Sequence, residues 1–217
     1  MMAERGQCIM LHGAHLPFSR RAEQTMHMPA SARRWTADEV RALTEESRHW
    51  PRYELIDGEL LVTPAPRPVH QIAAVELTRK LADYVEREGL GLTLLPPADI
   101  ELDAGTIVQP DVFVVPANDA APLLDWRQVR ALLLAVEIIS PGTARRDRET
   151  KRVFYQRTRV AEYWVVDLDV RRLERWWPGD EEPEVVREWL DWRPLEYRPP
   201  FQLDLKVFFR RVFGEKS

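Results

Sequence analysis

Cysteine is nearly absent from this 217-residue chain: Cys8 is the only one. That excludes a disulfide framework and any zinc site built from cysteines. Long hydrophobic runs are missing too. The most apolar stretch, Ala131 to Ile139, carries Glu137 inside it and falls far short of the roughly 20 residues that a membrane-spanning helix needs. Glycine is sparse, with 9 in all, and no cluster of them forms a phosphate-cradling loop. Internal repeats are absent. A strong basic excess is also lacking: 31 Lys and Arg stand against 35 Asp and Glu, a formal net charge of −4. Nonspecific coating of nucleic acid is thereby disfavoured, whereas a localised basic cleft is not.

The first 34 residues have neither helical nor strand periodicity, and their apolar segment is too short and interrupted for a secretory signal. His12, His15 and His27 lie here and read as tail residues, since no ordered scaffold surrounds them. The organisation expected is a disordered or dispensable extension over 1–34, with Met26 or Met28 as an alternative start, and one domain over 35–217.

Within that domain the chain is organised around Ala131 to Lys151. Leu132 to Ile139 reads as a short strand buried on both faces, closed by Ser140-Pro141-Gly142. A carboxylate there is costly unless a cation or several donors meet it, so Glu137 predicts a partner. Upstream, Thr36 and Glu39 form a capping-box pattern that starts a helix ending before Pro51. Asp57-Gly58 between two alternating runs predicts a hairpin, pairing Ile56 with Glu59, Leu55 with Leu60 and Glu54 with Leu61. Tyr53, Leu55, Leu60 and Val62 then share one face of a half-buried hairpin, and Glu54 and Glu59 the other, with Glu59 wet. A long helix follows from Val69 to Gly89, with His70 at its start on the apolar stripe of Ala73, Ala74, Leu77, Leu81, Tyr84 and Val85. A lone histidine there reads first as a satisfied core residue.

Short strands are expected over Leu92–Leu95, Ala98–Leu102 and Val108–Val115, the last with Asp111 at its entrance. A helix from about Asp147 to Thr158 carries Lys151. A hairpin joins Glu162–Asp167 to Arg171–Trp177. Two weaker strands, around Val185–Trp189 and Leu195–Tyr197, precede a terminal amphipathic helix within FQLDLKVFFRRVF.

Asp111 and Glu137 each sit on an apolar strand whose folding calls for no carboxylate. If the strands are neighbours, both side chains can converge on one hard divalent cation, for which oxygen ligands suit Mg²⁺. Lys151, one turn inside the following helix, is placed to reach back toward that pair. Asp147 shares its helix face and competes for the ammonium, so an inward Lys151 leaves Asp147 to solvent or to arginines. The plainer readings are a surface Asp147–Lys151 pair, an Asp111 that caps a turn after Pro110, and a solvated face of Arg145, Arg146, Arg148 and Arg152.

Pro110-Asp111 followed by Glu137 in a hydrophobic strand resembles the PD-(D/E)xK nuclease superfamily. The usual lysine two residues after the glutamate is replaced here by Ile139. YELIDGELLVTPAPRPVHQ, VQPDVFVV, VEIISPGTARRDRETKRVFYQ and EYWVVDLDVRRLERW are similar to the Uma-two type restriction-endonuclease-like branch of bacteria, in which the lysine is displaced onto the next helix. The resemblance spans about residue 35 to the C-terminus. It implies an α/β fold, a restriction-endonuclease-like mixed central sheet flanked by helices, with β-hairpins. It implies Asp111 and Glu137 as metal ligands for Mg²⁺ or Mn²⁺, Lys151 as the displaced catalytic lysine, and His70 and Glu54 as site-lining residues. The activity implied is metal-dependent hydrolysis of nucleic-acid phosphodiesters, DNA first, by a cytoplasmic protein with no membrane partner; a homodimer stays open. The alternatives are an inactive nuclease-fold module that only binds nucleic acid, and an interaction protein whose carboxylates and Lys151 form a buried ion network.

A chain beginning at Met28 is expected to melt within a degree or two of the full-length protein. A midpoint lower by several degrees would show that the extension packs on the domain.

Overall fold

The computed structural model describes residues 33–47, 50–120 and 122–215. The expected N-terminal extension, with His12, His15 and His27, lies outside the described residues except for Arg33 and Arg34. Arg33 pairs with Glu39 at 2.5 Å, and Arg34 Nη2 donates to the Asp57 carbonyl at 2.7 Å.

The first helix, Ala37–Ser47, is opened by its capping box: Glu39 N donates to Thr36 Oγ1 at 3.3 Å, and Thr36 N to Glu39 Oε2 at 2.9 Å. Strands β1 (Arg52–Ile56) and β2 (Glu59–Thr63) form the hairpin in the expected register. Asp57 and Gly58 both take positive φ, 52° and 77°, as a two-residue turn between twisted strands requires. The hairpin is covered on both sides. Leu55 packs with Val40 and Ile107 beneath the first helix, while Ile56 and Leu61 turn toward the central sheet. Glu54 lies on that second face and is buried, whereas Glu59 is exposed.

The central sheet has six strands in the order β3-β4-β5-β6-β7-β8. These are Gly91–Leu94, Val112–Pro116, Leu134–Ile139, Tyr163–Asp167, Arg172–Trp176 and Glu184–Val186. Only β5 and β6 run parallel; the other neighbours are antiparallel. The parallel pair needs a crossover, and the helical segment 144–157 supplies it. Side chains alternate between two cores. Val112, Val114, Leu134, Val136 and Ile138 face the long helix, Pro68–Arg87, through its Ala73, Leu77, Leu81, Tyr84 and Val85. Phe113, Val115, Ala135, Ile139 and Val165 face the crossover through Phe154 and Tyr155.

Three sequence expectations are corrected. Ala98–Leu102 is not a strand: only Ile100 reaches a partner, Val108, and its alternating apolar residues serve packing and not a ladder. Leu195–Tyr197 is also outside the sheets, with Leu195 tucked against the core and Tyr197 exposed. The terminal amphipathic segment divides at Asp204. Strand β10 (Phe201–Asp204) pairs antiparallel with β9 (Trp189–Trp192), and Asp204 then caps the helix Leu205–Phe213 by accepting from Val207 N at 3.0 Å. None of the described helices is long and apolar enough to cross a membrane.

Leu77 is fully buried between the long helix and the sheet. Leu77→Ala is expected to lower stability by about 2–5 kcal/mol in urea unfolding; a loss under about 1 kcal/mol would contradict this packing.

Candidate active site

The sheet register brings the two strand carboxylates together. Val112 pairs with Val136 and Phe113 with Ala135 across antiparallel β4 and β5. One step further, Asp111 comes opposite Glu137, and directly opposed residues project from the same face. Both line one cavity of about 280 Å³ with Glu54, His70, Asp147 and Lys151. The structure thus places the five site candidates of the sequence, Glu54, His70, Asp111, Glu137 and Lys151, around one cavity with Asp147 beside them.

Asp111 is fixed by three donors. Arg52 Nη2 reaches Oδ1 at 3.0 Å; His70 Nε2 and Ile138 N reach Oδ2 at 3.0 and 2.9 Å. Burial alone would raise its pKa, but the hydrogen bond and charge of His70, with Arg52 and the Ile138 amide, hold it below the usual carboxylate range. His70 is therefore no mere stripe residue: it stands one turn before Ala74 at the helix start, where the stripe runs out into the cavity.

Glu137 accepts at Oε1 from Lys151 Nζ at 2.7 Å and from Tyr155 Oη at 3.1 Å. Oε2 takes no hydrogen bond from a side chain or backbone group among the described residues. Burial pushes the Glu137 carboxyl well up, and Asp111, Asp147 and Glu54 reinforce this against the opposing pull of Lys151. Lys151 itself is 2% exposed. Its ammonium also lies 2.9 Å from Glu54 Oε2 and 3.9 Å from Asp147 Oδ1. Burial disfavours that charge, yet Glu137, Glu54 and Asp147 overcome it and drive the lysine pKa upward.

Glu54 is anchored from behind, its Oε1 accepting from Gln109 N at 2.8 Å. Its strand neighbour two residues back, Arg52, points to the same side, as the two-residue period of a strand demands. Sequence reasoning missed Arg52 although that period signals it. It also missed Tyr155, which stands one helical turn after Lys151 and caps Glu137.

The crossover helix departs from expectation in two ways. It begins at Ala144, not Asp147, and residues Asp147–Lys151 form a π segment in which Arg152 N–H reaches back to Asp147 O. Such wide turns recur at functional sites. Of the two fates expected for Asp147, solvent or an arginine, the structure gives the second: Asp147 is 2% exposed, Arg146 Nε lies 3.6 Å from its Oδ1 without a hydrogen bond, and burial raises its pKa against Lys151 and Arg146. The arginines do not form one solvated face either, since Arg148 makes a forked contact with Glu174 and also reaches Asp167.

Unpartnered buried polar atoms gather here. Asp147 Oδ1, Arg52 Nε, His70 Nδ1 and Arg146 Nε all belong to residues of this cavity. Arg146 Nε and Asp147 Oδ1 face each other at 3.6 Å; native interiors leave few such atoms without a partner, so these are the groups that water or a polar ligand in the cavity would meet. Among the described residues no group of three or more His, Cys, Asp or Glu side chains is arranged to hold a metal ion. A hard Mg²⁺-like cation needs less, one or two carboxylates with water and substrate oxygens. Asp111, the open Oε2 of Glu137 and the local surplus of three carboxylates around one ammonium fit that demand.

A family model described as "Putative restriction endonuclease", Uma2, matches residues 37–205. The chain belongs to the Uma2 family. The solved structure of "a putative nuclease belonging to DUF820" from Anabaena variabilis ATCC 29413 has a similar fold, with a TM-score of 0.62 and 17% sequence identity over 75% of this chain and 92% of that one. No curated protein matches the chain. The mixed six-stranded sheet with its small hairpins is thus a fold shared with that structure, and the span matched by the family model contains every residue of the cavity.

In EDTA, Glu137→Gln is expected to gain stability relative to the parent as pH rises from 5 to 8. A carboxyl whose folded pKa lies above its ordinary value of 4.5 is stabilising only when protonated; its charged form opposes folding increasingly as pH climbs toward the folded value. Paired unfolding curves at the two pH values check this, and a pH-independent difference would contradict it.

Proposed function

We propose that this Uma2-family chain is an endonuclease that hydrolyses nucleic-acid phosphodiesters, DNA foremost, with Mg²⁺ or Mn²⁺. The observation that carries the reading is the convergence of Asp111, Glu137 and Lys151 in one cavity that also collects unpartnered arginine and histidine donors. In this reading the carboxylates of Asp111 and Glu137 hold the cation from two adjacent strands. A divalent ion held there would neutralise phosphate charge and make water a better nucleophile.

The chain's own groups supply the remainder. Lys151, steadied by Glu54 at 2.9 Å, orients the attacking water beside Glu137 and offsets charge that builds on the phosphate. The Nε–H groups of Arg52 and Arg146 make no hydrogen bond, although Arg146 Nε stands 3.6 Å from Asp147 Oδ1, and both are donors suited to phosphate oxygens. His70 keeps Asp111 oriented through Nε2 and offers Nδ1 for a phosphate contact or proton transfer. Displacement of the lysine onto the helix preserves its function, because the crossover returns the helix over the end of β5 and compensates for Ile139.

One observation favours a second reading. Lys151 is fully engaged by carboxylates, as an inert structural network would have it. Loss of its charge would strand those carboxylates at a cost of about 3–5 kcal/mol, so Lys151 supports folding in either reading and its removal alone cannot separate them.

The deciding experiment is cleavage of plasmid and labelled duplex or single-stranded DNA by the purified full chain. Cleavage is expected with Mg²⁺ or Mn²⁺, to vanish in EDTA, and to fall by about 100-fold or more in Asp111→Asn and Glu137→Gln. Both variants should still fold and bind DNA. Equal cleavage in EDTA or full activity in Glu137→Gln would overturn the reading.

A further inference from the structure

Beside the catalytic cavity lies a second one of about 430 Å³ that the proposed chemistry does not use. Its size falls within the roughly 300–1,000 Å³ of small-molecule sites. The two cavities share Arg52, His70 and Asp111, so a group in the second is one short link from anything bound at those residues. Its other walls differ sharply in character: Trp50, Val75, Leu95, Pro96 and Pro97 supply apolar surface, and Gln71 a single amide.

Trp50 and Val75 are 38% and 52% exposed, which nothing in the core explains. The Arg52 guanidinium lies over the Trp50 ring at 4.9 Å while its Nη2 holds Asp111. One side chain thus braces both the indole and the carboxylate. An apolar cavity with a part-exposed tryptophan on its wall, next to a phosphodiester site, is the chemistry that receives a nucleobase.

Resting on the nuclease reading, we propose that the Trp50 cavity takes the unpaired base of a nucleotide adjoining the scissile phosphate. A base in an intact duplex faces inward and cannot enter without leaving its stack. The preferred substrates are therefore single strands or duplexes with an unpaired nucleotide, such as a mismatch, flap or junction. Stacking is tolerant of base identity, and Gln71, with one donor and one acceptor edge, adds only a mild preference.

The test measures anisotropy of labelled DNA with the full chain in Ca²⁺, and cleavage in Mg²⁺. The probes are a single-stranded oligonucleotide, the same strand with one central abasic residue, and the matched duplex with and without one mismatch. Register is fixed in the single strands by keeping them to about the few nucleotides of one stacking site, and the duplexes are made long enough to stay paired. The parent should prefer the single strand and the mismatched duplex over the matched duplex. Trp50→Ala should weaken single-strand binding by roughly 5- to 150-fold, the equivalent of one base stacked on an aromatic ring, with Trp50→Phe restoring most of it. The abasic strand should bind parent and Trp50→Ala alike, since the stacking partner is gone. Val75→Asp, on an exposed helix position, should act like Trp50→Ala without lowering the melting midpoint.

Equal handling of matched and unpaired substrates, or an unchanged Trp50→Ala with DNA cleavage intact, would overturn the base subsite and leave the nuclease reading standing. A Trp50 effect that persists on the abasic strand would assign the cavity to something other than a base. Failure of the parent to bind or cleave any of these DNAs would bring down the nuclease reading and the subsite with it.

Discussion

A single ammonium buried among three carboxylates governs the architecture around the cavity. Lys151 Nζ lies 2.7 Å from Glu137 and 2.9 Å from Glu54, with Asp147 at 3.9 Å. A lysine with so little solvent keeps its charge only because those anions outweigh the loss of hydration. The anions in turn tolerate burial only because the lysine is there. That mutual dependence ties together the hairpin, the end of β5 and the crossover helix. The hairpin brings Glu54, the strand Glu137, and the crossover both Asp147 and the lysine that offsets all three.

The same constraint accounts for smaller features. Tyr155 donates to Glu137, and its own hydroxyl is kept protonated by burial and the nearby carboxylates. Gln109 N donates to Glu54 and locks the segment before Asp111 against the hairpin. On the other side of the cavity, Asp111 is held by a separate set of donors, Arg52, His70 and Ile138 N. The two carboxylates facing each other across β4 and β5 thus meet opposite fates: Asp111 is pulled down and Glu137 pushed up. A pair of titratable groups driven apart in this way is characteristic of sites that do chemistry.

Much of this was legible in the residues. A carboxylate inside the apolar run around Glu137 required a partner, and a helix predicted to return over the strand end supplied Lys151. The Asp57-Gly58 turn gave the hairpin register to the residue, because side-chain alternation and turn geometry act locally. What failed depended on distant contacts. Ala98–Leu102 looks like a strand, yet only Ile100 finds a ladder partner. The burial of Asp147 was hidden because a helical pair with Lys151 reads as a surface pair until the hairpin covers it. The roles of Arg52 and Tyr155 emerge only when β1 and the crossover helix meet the same cavity. His70 was ambiguous for a like reason: nothing near it in sequence reveals Asp111 at 3.0 Å.

The central claim is that Asp111 and Glu137 hold one divalent ion between two strands. Crystals of the protein soaked in Mn²⁺ and measured at the manganese absorption edge test it most directly. The account predicts a single anomalous peak bridging the Asp111 and Glu137 carboxylates, lost in Glu137→Gln crystals. Well-ordered carboxylates with no peak between them at millimolar Mn²⁺, and Lys151 still seated on Glu137, would contradict it.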